Sequence, residues 1–254
     1  MTLAIALKFL ASIGLGYVVG SIPFGVLIGR RYAKVDVRQF GSGKMGTTNV
    51  LRVAGKKAAA VVFLMDLLKG AAAVLGAWLI LRGEYRADVG SAVYLMLRSG
   101  PALAALAAIA GHIWPVFMRF KGGRGVATFY GGMFALNPLV AFFSGQVFIL
   151  GTSTTRYVSV GSIAGAVAAY AILVPLVFVS GFPWENLLYG TIGSIAIIVT
   201  HRDNIRRLMA GKERKLGDPA ETSRLAPLGA HLALRATGAR QLASLRWSKQ
   251  NLHA

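Results

Sequence analysis

The chain has 254 residues, 55% of them hydrophobic and 15% charged, with a formal net charge of +19. A soluble domain carries nearer a quarter charged residues. A mean hydropathy of +0.59, with apolar runs near the ~20 residues that a bilayer core demands, marks an all-α integral membrane protein. The cations fall between or after apolar runs with no aromatic-interleaved basic patch, so positive-inside topology and anionic lipid account for them and nucleic acid is excluded. With no cysteine, thiolate chemistry and a Cys-ligated metal are excluded as well.

The first apolar run, Leu3 to Ile28, has one cation near its start and no small-residue cleavage site, so it reads as a retained helix rather than a signal peptide. Its pairs Gly16/Gly20 and Gly25/Gly29 are four apart, a spacing that lets helices approach closely. A second helix spans about Ala58 to Leu81 and carries Asp66 and Lys69 at i,i+3, which reads as a buried ion pair on one face. Arg82 to Gly100 reads as a mixed loop whose apolar piece, Val89 to Leu97, is too brief to span.

Pro101 to Phe117 reads as the third helix. Val126 to Gly151 is broken by Asn137-Pro138 into two halves, each short for a crossing, so the pair is expected to return the chain to one side. Helices from Tyr157 to Val179 and from about Glu185 to Thr200 follow, then a basic tail. Eight cations between Arg30 and Lys57 put that loop in the cytoplasm and the N-terminus outside. The expectation is about seven transmembrane helices, with the C-terminus inside. Residues 1–215 form the membrane domain and 216–254 a basic cytoplasmic extension.

The polar residues gather in three clusters. Gly41 to Arg52, GSGKMGTTNVLR, holds Gly41, Gly43 and Gly46 beside Ser42, Thr48, Asn49 and Arg52. Closely spaced glycines let backbone N–H groups crowd an anion. Thr47, Thr48 and Asn49 can cap a helix aimed at the same spot, with Arg52 in its first turn. The glycine spacing matches a dinucleotide fingerprint, but a membrane helix and a short basic stretch precede it rather than a strand, so a Rossmann site does not follow. The second cluster, Lys121-Gly122-Gly123-Arg124-Gly125, follows Gly111-His112, and His112 reads as a packing or capping residue. The third opens the tail, where His201 and Asn204 are i,i+3 and can face one target. Three such clusters on one membrane face read as a polyanion site. The four histidines lack ligand spacing, so no metal is expected. No G-x-S-x-G elbow or paired acids appear.

These clusters resemble the bacterial acyl-phosphate:glycerol-3-phosphate acyltransferases of the inner membrane. That family reads roughly GSGNxGxTNxxR, GHxxPxFxxFKGGKGVAT and HxxNIxRLxxGxE; this chain has GSGKMGTTNVLR, GHIWPVFMRFKGGRGVAT and HRDNIRRLMAGKE, in order, over about residues 15 to 215. Lys44 stands where the pattern has Asn, and Arg124 where it has Lys.

The resemblance implies a seven-helix fold with its active site at the cytoplasmic face. It implies transfer of a fatty acyl group from acyl phosphate, not acyl-CoA or acyl carrier protein, to the 1-hydroxyl of glycerol 3-phosphate. The products are lysophosphatidic acid and phosphate; no cofactor is implied, and a soluble enzyme supplying acyl phosphate is an implied partner. Ser42, Arg52, Lys121, His201 and Asn204 would form the reactive core, with the Gly41–Asn49 loop and Gly122 to Gly125 around the phosphates. The proton acceptor is left open between His201, Ser42 and a substrate phosphate oxygen. A different reading, an organic-phosphate transporter, would want a midplane site and an internal repeat, and neither is evident. A lipid-binding scaffold without chemistry leaves Ser42 and His201 unexplained.

Overall fold

A computed structural model of the chain describes residues 3–85 and 89–218; the extension beyond Asp218 lies outside the described residues. The described residues are helical: α1 (Leu3–Gly20), α2 (Phe24–Ala33), α3 (Thr47–Leu81), α4 (Ser91–Ile113), α5 (Val126–Leu136), α6 (Pro138–Thr155), α7 (Val158–Phe178), α8 (Trp184–Thr200) and α9 (Arg202–Met209). Among the described residues four stretches, Leu3–Ala33, Thr47–Glu84, Ser91–Met118 and Val158–Phe178, are long and apolar enough to cross a membrane.

The first apolar run is not one helix. Pro23 has no amide to donate and pushes Ile22 out of the helical region, so α1 stops at Gly20 and α2 begins at Phe24. α1 leans on α4 where a Cβ at Gly16 or Gly20 would overlap the backbones of Ala104 and Ala108. This is the close approach that the glycine spacing predicts. α3 begins at Thr47, eleven residues before the expected start, so Arg52 falls in its second turn. Gly55, at φ 83° and ψ 179°, kinks α3 between a short leading piece and the long apolar body.

Of the stretch Arg82 to Gly100, expected as a loop, Ser91 onward is instead the first part of α4. A proline inside a helix strands the carbonyl four residues earlier, here Leu97. The Tyr85 hydroxyl donates to that carbonyl at 3.1 Å, which lets the helix run through. α4 then ends at Ile113, four residues early, because Trp114 precedes Pro115. The break at Asn137-Pro138 falls where expected: Pro138 starts α6, and Asn137 Oδ1 accepts from the Val140 amide at 3.2 Å. The buried core joins α4, α5, α7 and α8 around Phe129, Met133, Leu173 and Tyr189. Tyr189 stacks on Phe129 with centroids 5.5 Å apart and donates to the Phe129 carbonyl at 2.8 Å.

Within the span, Lys69 Nζ pairs with Asp66 Oδ1 at 2.8 Å and donates to the Ile22 carbonyl at 3.1 Å, at the α1–α2 break. The same Asp66 oxygen lies 3.5 Å from His112 Nδ1. The expected i,i+3 pair is therefore present, with a histidine from α4 added to it.

Candidate active site

The loop Gly41 to Gly46 owes its shape to one side chain. Asn49, buried in the first turn of α3, donates through Nδ2 to the carbonyls of Val37 (2.7 Å), Phe40 (3.1 Å) and Lys44 (2.9 Å). Its Oδ1 accepts from the Ser42 amide at 3.0 Å. Asn49 therefore anchors the loop and does not cap α3; Gly46 holds the cap position, with no side-chain cap bond. Gly41 and Gly43 have φ of 58° and 69°, turns that other residues resist. The Gly43 amide donates to the Phe40 carbonyl at 3.0 Å. Two amides expected to meet an anion are thus committed inside the loop. What the loop takes from residue 44 is its carbonyl, which the exchange of Asn for Lys leaves in place.

The glycines of the second cluster hold a turn. The amides of Gly122 and Gly123 donate to the carbonyls of Ile113 (3.1 Å) and His112 (3.0 Å). A Cβ on Gly123 would overlap the His112 ring. These glycines let the chain fold back over His112, the packing role expected of that residue. The turn delivers Arg124 and Gly125 (φ 83°) to the head of α5. Lys121 stands exposed.

Beside these segments lies a cavity of about 300 Å³. Its lining includes Ser42, Thr48, Arg52, Arg124, Gly125, His201 and Asn204 from all three clusters. Of the sequence-predicted residues, Lys121, Gly122, Gly123, Gly41, Gly43, Gly46 and Asn49 do not line it. Arg124 is the cation of its cluster that does. Val126 at the start of α5 and Thr152 near the end of α6 line the same space, so α5 and α6 leave it and return to it.

Helix α8 ends at His201, whose Nδ1 is 2.8 Å from the Ile197 carbonyl. A carbonyl can only accept, so Nδ1 carries the hydrogen and Nε2 is left as an acceptor. Burial, followed by the charge of Arg124, lowers the His201 pKa to about 4, so the ring is neutral at pH 7. Asn204 Nδ2 donates to Glu213 Oε1, and the same carboxylate accepts from Ser159 Oγ at 2.9 Å and Arg207 Nε at 2.7 Å. Glu213 was not singled out from the sequence. The available signal was a lone acid among Lys212, Arg214 and Lys215 in a chain with nine acids. Burial lowers Arg124 to about 10, with Glu213 raising it and Arg207 and Arg52 lowering it; it stays charged.

Among the described residues, five that line the cavity keep a buried polar atom without a hydrogen-bond partner: Arg52 Nε, Arg124 Nε, Thr152 Oγ1, Asn204 Oδ1 and Asp66 Oδ1, the last of them ion-paired with Lys69. Burial of unpaired polar atoms is costly, and gathering them around one cavity equips it for a ligand that is both anionic and hydroxylated. Among the described residues no group of acids and histidines could hold a metal ion.

The family described as Glycerol-3-phosphate acyltransferase matches residues 10–211. The chain is 53% identical to Glycerol-3-phosphate acyltransferase 3 of Dehalococcoides mccartyi (strain CBDB1) over 84% of this chain and 98% of that one. It is 44% identical to Glycerol-3-phosphate acyltransferase of Rubrobacter xylanophilus (strain DSM 9941 / JCM 11954 / NBRC 16129 / PRD-1) over 80% and 92%. A crystal structure of PlsY (YgiH), an integral membrane glycerol 3-phosphate acyltransferase, in its glycerol 3-phosphate form superposes with a TM-score of 0.69. That pair is 37% identical, covering 82% of this chain and 96% of that one. The lysophosphatidic acid form superposes at 0.67 with 36% identity, covering 82% and 95%. With its three polar clusters meeting at one cavity, this chain belongs to the glycerol-3-phosphate acyltransferase family and is a membrane acyltransferase.

Proposed function

We propose that the enzyme transfers a fatty acyl group from an acyl phosphate to the 1-hydroxyl of glycerol 3-phosphate, releasing lysophosphatidic acid and phosphate. The observation that carries this reading is the set of unpartnered atoms in the cavity. Arg52 Nε and Arg124 Nε are donors suited to phosphate oxygens, and Asn204 Oδ1 is an acceptor suited to a hydroxyl. An acyl phosphate is already activated, so catalysis requires alignment and charge stabilisation more than a nucleophilic triad.

In the proposed reaction the glycerol hydroxyl oxygen bonds to the acyl carbon while the carbon–oxygen bond to phosphate breaks. In the bound state His201 Nε2 accepts from the 1-hydroxyl and Asn204 Oδ1 from the neighbouring 2-hydroxyl, so that the attacking oxygen is aimed. A ring with a pKa of about 4 holds a proton poorly at neutral pH, whereas the departing inorganic phosphate is the more basic group. The proton therefore goes to the departing phosphate, and His201 orients. Ser42 in the loop and Thr48 at the head of α3 donate to the donor phosphate, while Arg52 and Arg124 hold the two phosphoryl groups apart. Lys121, exposed before Arg124, attracts the incoming anion. The acyl chain lies between helices in a groove open to lipid.

The topology belongs to the same proposal. α1 and α3 to α8 make seven crossings of a bacterial inner membrane, with the N-terminus outside and the cavity facing the cytoplasm. The return of α5 and α6 to the cavity and the eight cations from Arg30 to Lys57 support it.

Purified protein supplied with glycerol 3-phosphate is expected to form lysophosphatidic acid from palmitoyl phosphate and none from palmitoyl-CoA, read by mass spectrometry. The reverse preference overturns the donor assignment.

A further inference from the structure

A second cavity of about 210 Å³ lies against the first, and the two share Phe63, Val126 and Phe148. It runs between three helical stripes of spacing three or four: Phe63 and Leu67 on α3, Val126, Tyr130 and Phe134 on α5, and Phe142, Gly145 and Phe148 on α6. Its lining is apolar apart from Gln146 and the Tyr130 hydroxyl, and the latter is turned away to the Ser144 carbonyl at 3.1 Å. Continuity with the phosphate-suited cavity commits it to one occupant, the hydrocarbon tail of an acyl donor whose head sits in the first.

Gly145 stands out on this wall. Most glycines packed between these helices have no room for a Cβ: one at Gly131 would overlap the Leu67 carbonyl, one at Gly70 the Thr128 carbonyl, and one at Gly165 the Tyr130 hydroxyl. At Gly145 an added Cβ would meet only Tyr130 Cε1, at 3.9 Å, which is ordinary contact. The residue lies inside the regular helix α6, so backbone conformation does not require glycine either. What the missing side chain provides is open groove.

Resting on the donor assignment above, we infer that Gly145 is the acyl-chain gauge of the enzyme. Its bare backbone keeps the groove open beyond its midpoint, so that long tails lie in line with the reacting carbonyl. Seven residues of helix separate Thr152, in the reaction cavity, from Gly145, a distance of about 10 Å. With carbon–carbon bonds near ~1.5 Å, an eight-carbon tail reaches about this level and a sixteen-carbon tail passes well beyond it. Because bilayer and groove are equally apolar, a blocked groove costs alignment rather than transfer energy.

The test is the ratio of kcat/KM for palmitoyl phosphate to that for octanoyl phosphate, measured with purified wild type, Gly145→Ala, Gly145→Phe and Val147→Phe. Val147 is on α6 but outside the groove lining. Gly145→Phe is expected to lower the ratio at least about tenfold, within what a small misplacement of the reacting atoms costs. Gly145→Ala, whose added carbon has room, is expected to fold and to lower it in the same direction by a smaller factor, so it decides the matter if the larger variant does not fold. An unchanged ratio in Gly145→Ala and Gly145→Phe, or an equal fall in Val147→Phe, overturns the gauge while leaving the donor assignment standing. A wild type that uses neither acyl phosphate overturns the donor assignment, and the gauge with it.

Discussion

His201 shows how one local contact decides what a residue can do. Its Nδ1–H is committed to the Ile197 carbonyl, and its pKa of about 4 lies below the 6.5 of a free histidine. The unfolded chain therefore takes up the proton first, so stability falls as pH drops through the window between those two values. The loss attributable to His201 is expected to be on the order of 3 kcal/mol across that window. Thermal unfolding in detergent from pH 7 to pH 4 checks it: the fall should be steeper in wild type than in His201→Asn, and parallel curves refute the assignment. The i,i+3 relation of His201 and Asn204 was legible from the sequence because both sit on one short turn. Glu213, which fixes Asn204 Nδ2, was not legible, because its partners lie on two helices distant in sequence, Ser159 on α7 and Asn204 and Arg207 on α9, and meet only at its carboxylate beyond the end of α9. The difference between Lys121 and Arg124 was equally hidden. Both are cations in one pentapeptide, and the fold-back over His112 decides which of them faces inward.

At the scale of elements, sequence and structure agree where the cause is local. Asn137-Pro138 breaks a helix because the cap and the proline are adjacent, and Gly16/Gly20 mark a close crossing because spacing alone puts them on one face. They part where the cause is distant. Pro101 would end a helix on its own, but the Tyr85 hydroxyl, sixteen residues upstream, satisfies the stranded Leu97 carbonyl. The loop before α3 is likewise held by one side chain that reaches three carbonyls and one amide. Asn49→Ala leaves those groups unpaired and is expected to cost on the order of 3 kcal/mol and to raise KM for the acyl phosphate, because Ser42 loses its fixed position. Unfolding midpoints and steady-state kinetics on the purified variant check this; a wild-type KM at reduced stability would detach the loop from donor binding.

The whole molecule offers a clean test of its proposed orientation, because the chain contains no cysteine. A single cysteine placed at an exposed position is the only thiol a membrane-impermeant maleimide can label. Lys56→Cys and Thr154→Cys are expected to react in inverted vesicles and not in intact cells, and Ser180→Cys the reverse. Labelling of Thr154→Cys in intact cells would mean that α5 and α6 do not return to the cytoplasmic side, and the seven-crossing topology would fail.

The seam where the two cavities share Phe63, Val126 and Phe148 has a consequence for which molecules can interfere. In the proposed binding mode a guest has its charged head among the arginines and its oil among the phenylalanines, so its depth is set by the point where its own character changes. Any single-chain surfactant whose anionic head is about the size of a phosphate will find the same resting place, whether or not it carries a reactive bond. Such surfactants should act as competitive inhibitors against the acyl donor, while neutral ones of equal chain length pass the seam by.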